Sequence, residues 1–408
     1  MRTDINIDSF IKTFVTKRQE SLLTNDFSKF SNILNKNINN KKILVIGGAG
    51  TIGSYYIKAL LKFKIAKLVV VDLNENGLTE LVRDLRSSAN GEYNIPDDFI
   101  TYPLDFGSHV FENIFKSNGG FDIVANFAAL KHVRSGKDLF STEAMINNNV
   151  FKAKKLLDLL LQFPPEHFFC VSTDKAANPV NIMGASKKLM EELSLSYSDR
   201  IPVSTARFAN VAFSNGSLPL GFIERLNKKQ PWSCPTGIKR FFVSPTEAGQ
   251  LCLFASVMGK SGDIFFPKLD PDKNMIPFDK IAKELLEYIG LKPDICKTED
   301  EAREKALLLN EHSVSYPVYF FKSDTSGEKP YEEFFTVKET LNLDLFSNLG
   351  VIKNSGKHDQ KEIVAILDRL HSMFNSGDVT KETIINILSK YLPDFHHIEK
   401  GKGLDSHM

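Results

Sequence analysis

The chain has 408 residues and a formal net charge of +1, because 51 lysines and arginines face 50 aspartates and glutamates. A charge so close to zero argues against a nucleic-acid binder, which normally carries a clear basic excess. Hydrophobic residues make up 42% and charged residues 25%, a composition that excludes extensive disorder.

The four cysteines are widely spaced and form no C-x-x-C pair, which argues against a disulfide framework or a metal site and favours a reducing compartment. The N-terminal residues lack the continuous apolar segment of a signal peptide. No run approaches the roughly 18 apolar residues of a membrane span. We therefore expect a cytoplasmic protein without a membrane span.

The first part of the chain predicts a polar arm followed by a parallel sheet. Residues 1–40 are polar, and apolar pairs such as Phe10 and Phe14 predict a helical arm. From residue 41 to about 215, apolar strands alternate with stretches of helical period, which indicates βαβ units covered on both faces. The strands are predicted at 68–72, 99–106, 121–129, 168–173 and 203–211, and the helices at 52–63, 76–88, 142–162 and 183–196.

Beyond residue 215 the alternation loosens. We assign residues 216–340 to a substrate-binding lobe, from which a strand and helix near 240–268 return to the first domain. The segment 292–330 is charged and irregular, and residues 341–408 are predicted to form a helical extension. The predicted fold is α/β, a Rossmann-like doubly wound parallel sheet over 41–215 with a smaller C-terminal lobe and helical extensions.

A glycine-rich turn follows the first strand. Gly47, Gly50 and Gly53 are spaced G-x-x-G-x-x-G between a strand and a helix. Such glycines allow a tight turn, and the new helix offers free N–H groups to a pyrophosphate. Asp72 ends the second strand. Its distance along the chain from the glycine motif is close to the roughly 20 residues expected for an acid that binds the adenosine ribose. Because a carboxylate there repels a 2′-phosphate, the sequence favours NAD over NADP.

The seven-residue glycine motif resembles the extended type of short-chain dehydrogenases/reductases. Thr51 and Ile52 lie within the motif, and the resemblance implies that Ala128 and Ala129 line the nicotinamide side. Asp105 ends the third strand, where two interpretations remain open: it meets the adenine, or it is a plain turn aspartate.

The catalytic motif of this superfamily is altered. Its members usually carry Y-x-x-x-K, whose spacing puts both side chains on one helix face. Here Met183 stands at the tyrosine position before Lys187, and a methionine cannot relay a proton. Thr173, Asp174 and Lys175 follow a central strand, at the sheet edge where ligands bind. They are the candidate replacement, and a solvated loop pair is the alternative for the two charged residues.

The strings at 172–187 (STDKAANPVNIMGASK) and 128–133 (AALKHV) resemble the nucleotide-sugar 4,6-dehydratases of bacterial polysaccharide biosynthesis. That family acts on UDP-N-acetylglucosamine (UDP-GlcNAc), and the flanking residues resemble a soluble subgroup. Thr325 and Ser326 depart from the family, which has Arg-Pro there. The membrane-spanning N-terminal region of many relatives is also missing.

The resemblance implies roles for the five central residues. Asp174 is the acid for the C6 oxygen, and Lys175 is the base for the C5 proton. That lysine can serve as a base only if its pKa is depressed. Thr173 binds the C4 oxygen, Lys187 holds the nicotinamide ribose, and Met183 packs against sugar or nicotinamide. By family analogy Met183 favours retention at C5.

A second group of residues is expected to bind the UDP-sugar. His132 is either a polar contact or a general base. Arg240 is either a diphosphate clamp or a surface-loop residue. Glu328 either contacts the uridine ribose or makes no contact with the substrate. The full set comprises Lys131, His132, Asn210, Ser214, Ser217, Arg240 and Glu328.

The sequence leaves two other functions open, a UDP-sugar 4-epimerase and a catalytically silent NAD-binding regulator. The epimerase normally needs the tyrosine that Met183 replaces, and the intact Thr173, Asp174 and Lys175 argue against the regulator. The resemblance also implies a homo-oligomer, as a dimer through the helices at 142–162 and 183–196.

Overall fold

Alternating apolar runs form the strands of the computed structural model, which describes residues 5–89, 91–323, 329, 331–353, 359–377 and 379–398. The strands in these ranges are β1 (Lys42–Ile46), β2 (Lys67–Asp72), β3 (Asp98–Pro103), β4 (Ile123–Asn126), β5 (His167–Val171), β6 (Val203–Ala206), β7 (Asn210–Val211), β8 (Trp232–Thr236), β9 (Lys239–Val243), β10 (Asp263–Pro267), β11 (Met275–Pro277), β12 (Lys292–Cys296), β13 (Ser315–Lys322), β14 (Thr340–Asn342) and β15 (Leu349–Lys353).

The helices begin where short polar side chains cap them; Asn74, Ser108, Asn181 and Ser217, for example, each accept a hydrogen bond from the first turn. They are α1 (Ile7–Phe10), α2 (Thr24–Ile38), α3 (Thr51–Leu60), α4 (Glu75–Ser87), α5 (His109–Ser117), α6 (Leu139–Ile146), α7 (Lys152–Gln162), α8 (Ile182–Leu195), α9 (Leu218–Asn227), α10 (Pro245–Met258), α11 (Pro271–Asn274), α12 (Phe278–Tyr288), α13 (Glu299–Ala306), α14 (Gln360–Ser376) and α15 (Lys381–Tyr391). A π-helical turn joins α6 to α7.

The central sheet has the order β3-β2-β1-β4-β5-β6-β10-β15-β14. Its first seven strands are parallel, and the last two pair antiparallel. Successive strands are added on one side of β1 up to β3 and then on its other side from β4 onward. At this switch point between β1 and β4, a crevice opens at the carboxyl ends of the two strands. This architecture confirms the predicted Rossmann-like α/β fold.

Both faces of the sheet are buried, because neighbouring residues of each strand point to opposite sides. On β1, Ile43 and Val45 join a core with α2, α3, α4 and α10. Leu44 and Ile46 join a second core with α5, α7, α8, α14 and α15. The nearly continuous apolar strands that the sequence shows are therefore covered on both sides.

The smaller lobe contains two three-stranded sheets, β11-β9-β7 and β12-β13-β8. Its core packs Phe222 against Trp232 and includes residues of α12. Phe10 and Ile11 of the N-terminal arm are buried in the same core. The arm therefore belongs to the packing of the lobe.

Three predicted segments differ from the structure. The single strand expected at 203–211 is divided between β6 and β7, which lie in different sheets. The segment 292–330, expected to be irregular, contains β12, α13 and β13. The strand β13 forms where three consecutive residues, Tyr316, Pro317 and Val318, are buried. The extension from 341, expected to be helical, first completes the central sheet with β15.

The C-terminal helices lie against the helices through which the predicted dimer would form. Phe151, just before α7, contacts His371 and Phe374 of α14. Residues of α14 and α15 share one hydrophobic core with α7 and α8. Part of that surface is therefore covered within the chain, and the dimer stays a prediction. In the described ranges, we find no helix with the length and apolar character needed to cross a bilayer.

Candidate active site

The glycine turn places backbone where side chains would not fit. Gly47 has φ +77°, and a Cβ there would lie 2.6 Å from the amide nitrogen of Ala128. A Cβ on Gly53 would overlap the carbonyl oxygen of Gly47. The turn is therefore packed against the end of β4, and α3 begins directly after Gly50. The N-terminus of α3 provides the free N–H groups that bind a pyrophosphate.

A cavity of about 260 Å³, the cofactor cavity, opens at this turn. The carboxylate of Asp72 lies in its wall and accepts hydrogen bonds from the amides of Ala49 and Asn74, each 2.9 Å long. These bonds fix the carboxylate beside the turn. Of the predicted cofactor residues, the cavity is lined by Gly47, Gly50, Asp72, Ala128 and Ala129.

Asp105 has a different environment. Its neighbours Leu104 and Phe106 line the cofactor cavity, whereas Asp105 is not among the lining residues. The carboxylate accepts hydrogen bonds from Lys152 and from the amide of Gly107. Burial raises the pKa of Asp105, but these donors outweigh it and hold the pKa below its usual value. These bonds are typical of a turn aspartate, and the contact of Asp105 with the adenine stays a prediction.

Replacing Gly47 by alanine tests the glycine turn. We expect Gly47→Ala to abolish measurable NAD binding, because the new methyl group would displace the end of β4. Gly237→Ala is the matched control: Gly237 has φ +76°, and a Cβ at this position would meet nothing within 4 Å. Both variants carry the backbone strain, about 1–2 kcal/mol. Calorimetric NAD titration and thermal melts distinguish them, and normal binding by Gly47→Ala would contradict the prediction.

A second cavity of about 270 Å³, the reaction cavity, lies beside the first, and Phe127 and Ala129 line both. It brings together segments that are far apart in the chain. Of the predicted site residues, it is lined by Ile52, Ala129, Lys131, His132, Thr173, Asp174, Lys175, Met183, Lys187, Asn210, Ser214 and Ser217.

Thr173, Asp174 and Lys175 form a tight polar cluster at the end of β5. One oxygen of Asp174 accepts hydrogen bonds from the Thr173 hydroxyl at 2.8 Å, from the Lys175 amide at 2.9 Å and from the Lys175 ammonium at 3.0 Å. The carboxylate is 3% exposed. The solvated loop pair considered above does not describe this buried arrangement.

The charges around Lys175 oppose the requirement that its pKa be depressed. Burial lowers the pKa of Lys175, but Asp174 and Glu332 outweigh it and leave the pKa above its ordinary value. The Glu332 carboxylate lies 3.9 Å from the lysine nitrogen. The resting site therefore holds Lys175 as an ammonium ion.

Met183 and Lys187 occupy the first two turns of α8. Both are buried and line the reaction cavity. The Lys187 ammonium donates to the carbonyl of Val171 at 2.6 Å. Burial lowers the pKa of Lys187 to about 8, although Cys170 and Glu191 act to raise it. The pKa of Lys187 therefore lies closer to neutrality than that of an ordinary lysine.

Most of the predicted substrate residues line the same cavity. The Lys131 ammonium donates to the carbonyl of Asn215 at 2.8 Å, and His132 lies against Gly216. Ser217 caps α9, so the N-terminus of that helix faces the cavity together with Leu218. Asn210 and Ser214 also line the cavity.

Two predicted substrate residues lie elsewhere. Arg240 is buried on β9, is not among the residues lining the reaction cavity, and donates to the carbonyls of Lys239 and Lys329. It is therefore not a surface-loop residue, and its role as a diphosphate clamp stays a prediction. Glu328 lies outside the described residues.

The sequence analysis did not identify two asparagines whose hydrogen bonds hold the loops of the site in place. Asn149 bonds the amide and carbonyl of Leu130 and the hydroxyl of Ser186, which ties the loop after β4 to α8. Asn215 lines the cofactor cavity, and its backbone N–H donates a hydrogen bond to the Thr51 hydroxyl. No spacing rule marks either asparagine, because their partners lie far away in the chain.

A buried ionic network underlies the end of β5. Arg207, fully buried, makes two hydrogen bonds to Glu191 and two to Glu339, and also donates to the carbonyl of Phe334. The Ser172 hydroxyl donates to Glu191 at 2.8 Å. Burial raises the pKa of Glu191, but the Arg207 guanidinium outweighs it and holds the pKa well below its usual range.

Two known proteins are similar to this chain in sequence. An uncharacterized membrane protein of Methanocaldococcus jannaschii is 30% identical over 356 residues, which cover 86% of this chain and 96% of that protein. The UDP-glucose 4-epimerase of Rickettsia prowazekii is 30% identical over 261 residues, 62% of this chain and 72% of the epimerase.

A solved structure shares the fold. The dTDP-glucose 4,6-dehydratase DesIV of Streptomyces venezuelae, with NAD and TYD bound, superposes with a TM-score of 0.53 and 17% identity, over 73% of this chain and 89% of that one. The model of the family described as "Polysaccharide biosynthesis protein" matches residues 43–353. Because that match spans well over half of the sequence and includes both cavities, this chain belongs to the polysaccharide biosynthesis protein family.

Proposed function

We propose that this protein is an NAD-dependent 4,6-dehydratase that converts a UDP-N-acetylhexosamine, UDP-GlcNAc, into a UDP-4-keto-6-deoxy sugar for surface-glycan biosynthesis. The observation that carries the proposal is the shared cavity of Thr173, Asp174, Lys175 and Lys187, with Met183 where a tyrosine would stand. A dehydration needs a proton donor for the leaving oxygen and a base for the C5 proton, and the side chains of Asp174 and Lys175 are two groups at one strand end that can exchange protons.

The cofactor cavity fits NAD. The turn at Gly47 leaves room only for backbone, as the close approach of a pyrophosphate requires. Asp72 lies at the end of β2, where a carboxylate accepts hydrogen bonds from the ribose hydroxyls and repels a 2′-phosphate. Ala128 and Ala129 leave space towards the reaction cavity. Bound NAD would supply the hydride acceptor for C4 of the sugar and the hydride donor for C6.

The residues of the reaction cavity then have distinct tasks. Thr173 donates a hydrogen bond to the C4 oxygen, and the Lys187 ammonium stabilises negative charge there as the hydroxyl proton leaves. The resulting ketone acidifies the C5 proton, which Lys175 removes. Asp174 gives a proton to the C6 oxygen, which departs as water. The C4 proton passes to solvent water, and the Asp174 carboxylate takes up a proton from solvent before it acts as the acid. The number of protons is therefore unchanged over one turnover.

The part of the reaction cavity lined by Lys131, Ser217 and Leu218, called here the UDP wall, suits a UDP group. Ser217 and Leu218 begin α9 at the cavity, and a helix N-terminus favours phosphate oxygens. Lys131 adds a positive charge on the same side. We therefore assign the diphosphate to this wall and the sugar to the side of Asp174.

A UDP-sugar 4-epimerase is the second candidate, supported by the similarity to the Rickettsia epimerase. It would share the cofactor cavity and the ketone intermediate. Against it, Met183 cannot carry the proton that a tyrosine exchanges with the C4 hydroxyl. A silent NAD-binding regulator has no need for the buried cluster of Asp174 and Lys175.

The decisive experiment incubates the purified protein with UDP-GlcNAc in deuterated water and follows the sugar by NMR. A dehydratase yields a 4-keto-6-deoxy sugar with deuterium at C5. An epimerase yields the C4 epimer without loss of the C6 oxygen, and a silent binding protein leaves the substrate unchanged. Either of the last two outcomes would reject the proposal.

A further inference from the structure

Glu332 is a buried carboxylate that the roles above do not use. Its residue is 4% exposed, and it is not among the residues lining the reaction cavity. Its two oxygens lie 3.9 Å from the ammonium nitrogens of Lys175 and Lys329. Within the described ranges, Oε2 has no hydrogen-bond partner. A buried carboxylate oxygen without a hydrogen-bond partner lowers the stability of the fold, so its presence calls for a functional explanation.

The chain around Glu332 is firmly anchored. Two residues further on, the carbonyl of Phe334 accepts a hydrogen bond from Arg207. Glu339 completes the same buried network. The segment is thus fastened to the end of β6, beside β5, the strand that precedes Thr173. Glu332 is thus held next to Lys175 without lining the reaction cavity.

The local charges make Glu332 a carboxylate prepared to take up a proton. Burial raises its pKa, the nearby charge of Asp174 adds to this effect, and Lys175, Arg240 and Lys329 only partly offset it. Lys175, by contrast, is held protonated by Asp174 and Glu332. An ammonium ion cannot accept the C5 proton, so its own proton must first have somewhere to go.

We propose that Glu332 accepts a proton from Lys175 during the reaction. Lys175 then becomes a neutral amine that can remove the C5 proton, and Glu332 acts only through the lysine, as a positioning residue. The proposal rests on the dehydratase function proposed above. The separation of 3.9 Å is of the kind that tightens when substrate closes a site.

The proton transfers balance. The C5–H bond breaks and an N–H bond forms on Lys175, while another N–H bond of Lys175 breaks and an O–H bond forms on Glu332. The C5 electron pair becomes the C5–C6 double bond as the C6–O bond breaks, and the oxygen leaves as water with the proton from Asp174. When hydride returns to C6, Lys175 protonates C5 and Glu332 returns its proton to Lys175.

The test compares Glu332→Gln with Glu332→Asp and with Glu333→Gln as the matched control. Glu333 is the adjacent glutamate, is exposed, and accepts a hydrogen bond from Asn178. Each variant is mixed with NAD and UDP-GlcNAc. NADH absorbance reports C4 oxidation, NMR reports deuterium entry at C5, and thermal melts report folding.

We expect Glu332→Gln to oxidise C4 like the wild type but to exchange the C5 proton at least about 100-fold more slowly, the usual contribution of a general base. Glu332→Asp should recover part of the rate, and Glu333→Gln should match the wild type. Wild-type exchange should rise with pH while Glu332 loses its proton and then level off. In Glu332→Gln the remaining exchange should rise only at alkaline pH, where Lys175 itself deprotonates.

Two outcomes would overturn the inference. C5 exchange within a few-fold of wild type in Glu332→Gln would show that the carboxylate accepts no proton. Equal loss of C4 oxidation and C5 exchange, with a lowered melting temperature, would indicate a structural role. If the wild type gives neither deuterium at C5 nor a 4-keto-6-deoxy sugar, the dehydratase proposal itself fails, and this result is independent of the variants.

Discussion

Replacing Asp174 by asparagine is expected to lower formation of the 4-keto-6-deoxy sugar by about 10²- to 10⁴-fold, the range of a general acid. The asparagine oxygen can still accept the hydrogen bonds that Thr173 and Lys175 donate, so the fold and NAD binding should persist. C4 oxidation and deuterium entry at C5 should also persist, because both precede loss of the C6 oxygen. NMR of the sugar and NADH absorbance provide these measurements.

Asp97→Asn is the control for this change, because Asp97 is an exposed aspartate before β3. It should leave the rate of product formation unaltered. Product formation by Asp174→Asn near the wild-type rate would refute the acid role. The variants at positions 174 and 332 are expected to stop the reaction at different steps, since only the latter should block C5 exchange.

Replacing Arg207 by methionine is expected to destabilise the fold by about 3–5 kcal/mol, the cost of breaking a buried ion pair. Methionine fills a similar volume but leaves Glu191 buried, charged and without its bidentate partner. Glu339 loses its partner as well. Urea unfolding, with the midpoint and slope both fitted, measures the loss.

Arg303→Met is the matched control. Arg303 forms ion pairs with Glu299 and Asp300 on the surface of α13, and its side chain is 51% exposed. Surface pairs of this kind contribute about 0–1 kcal/mol, so the free energy of unfolding should change little. A similarly small change for Arg207→Met would mean that water reaches Glu191 once the guanidinium is gone.

Prediction from the sequence was accurate where a local pattern has a local cause. The glycine turn, Asp72 and the helix start at Thr51 depend on residues within one βαβ unit, and their spacing sufficed to place them. The division of 203–211 into two strands was not predictable, since both halves are apolar. What separates them is the pairing of β6 with β10 and of β7 with β9.

The site shows the same difference. Thr173, Asp174 and Lys175 were identifiable because they follow an apolar strand. The ionisation of Lys175 was not, because it depends on Glu332, far along the chain. For Arg240 the sequence leaves a diphosphate clamp and a surface-loop residue open, and its burial on β9 excludes only the surface loop. Charge alone does not tell which way a strand residue points.

The sequence by itself determined the doubly wound sheet, the NAD-type glycine turn and the replacement of tyrosine by Met183. These follow from periodicity and short spacing, which constrain the backbone directly. Only the tertiary structure decided that the C-terminal helices pack with α7 and α8, that Asp105 pairs with Lys152, and that Glu332 lies next to Lys175. Such contacts join segments distant in the chain, and burial and charge there depend on packing.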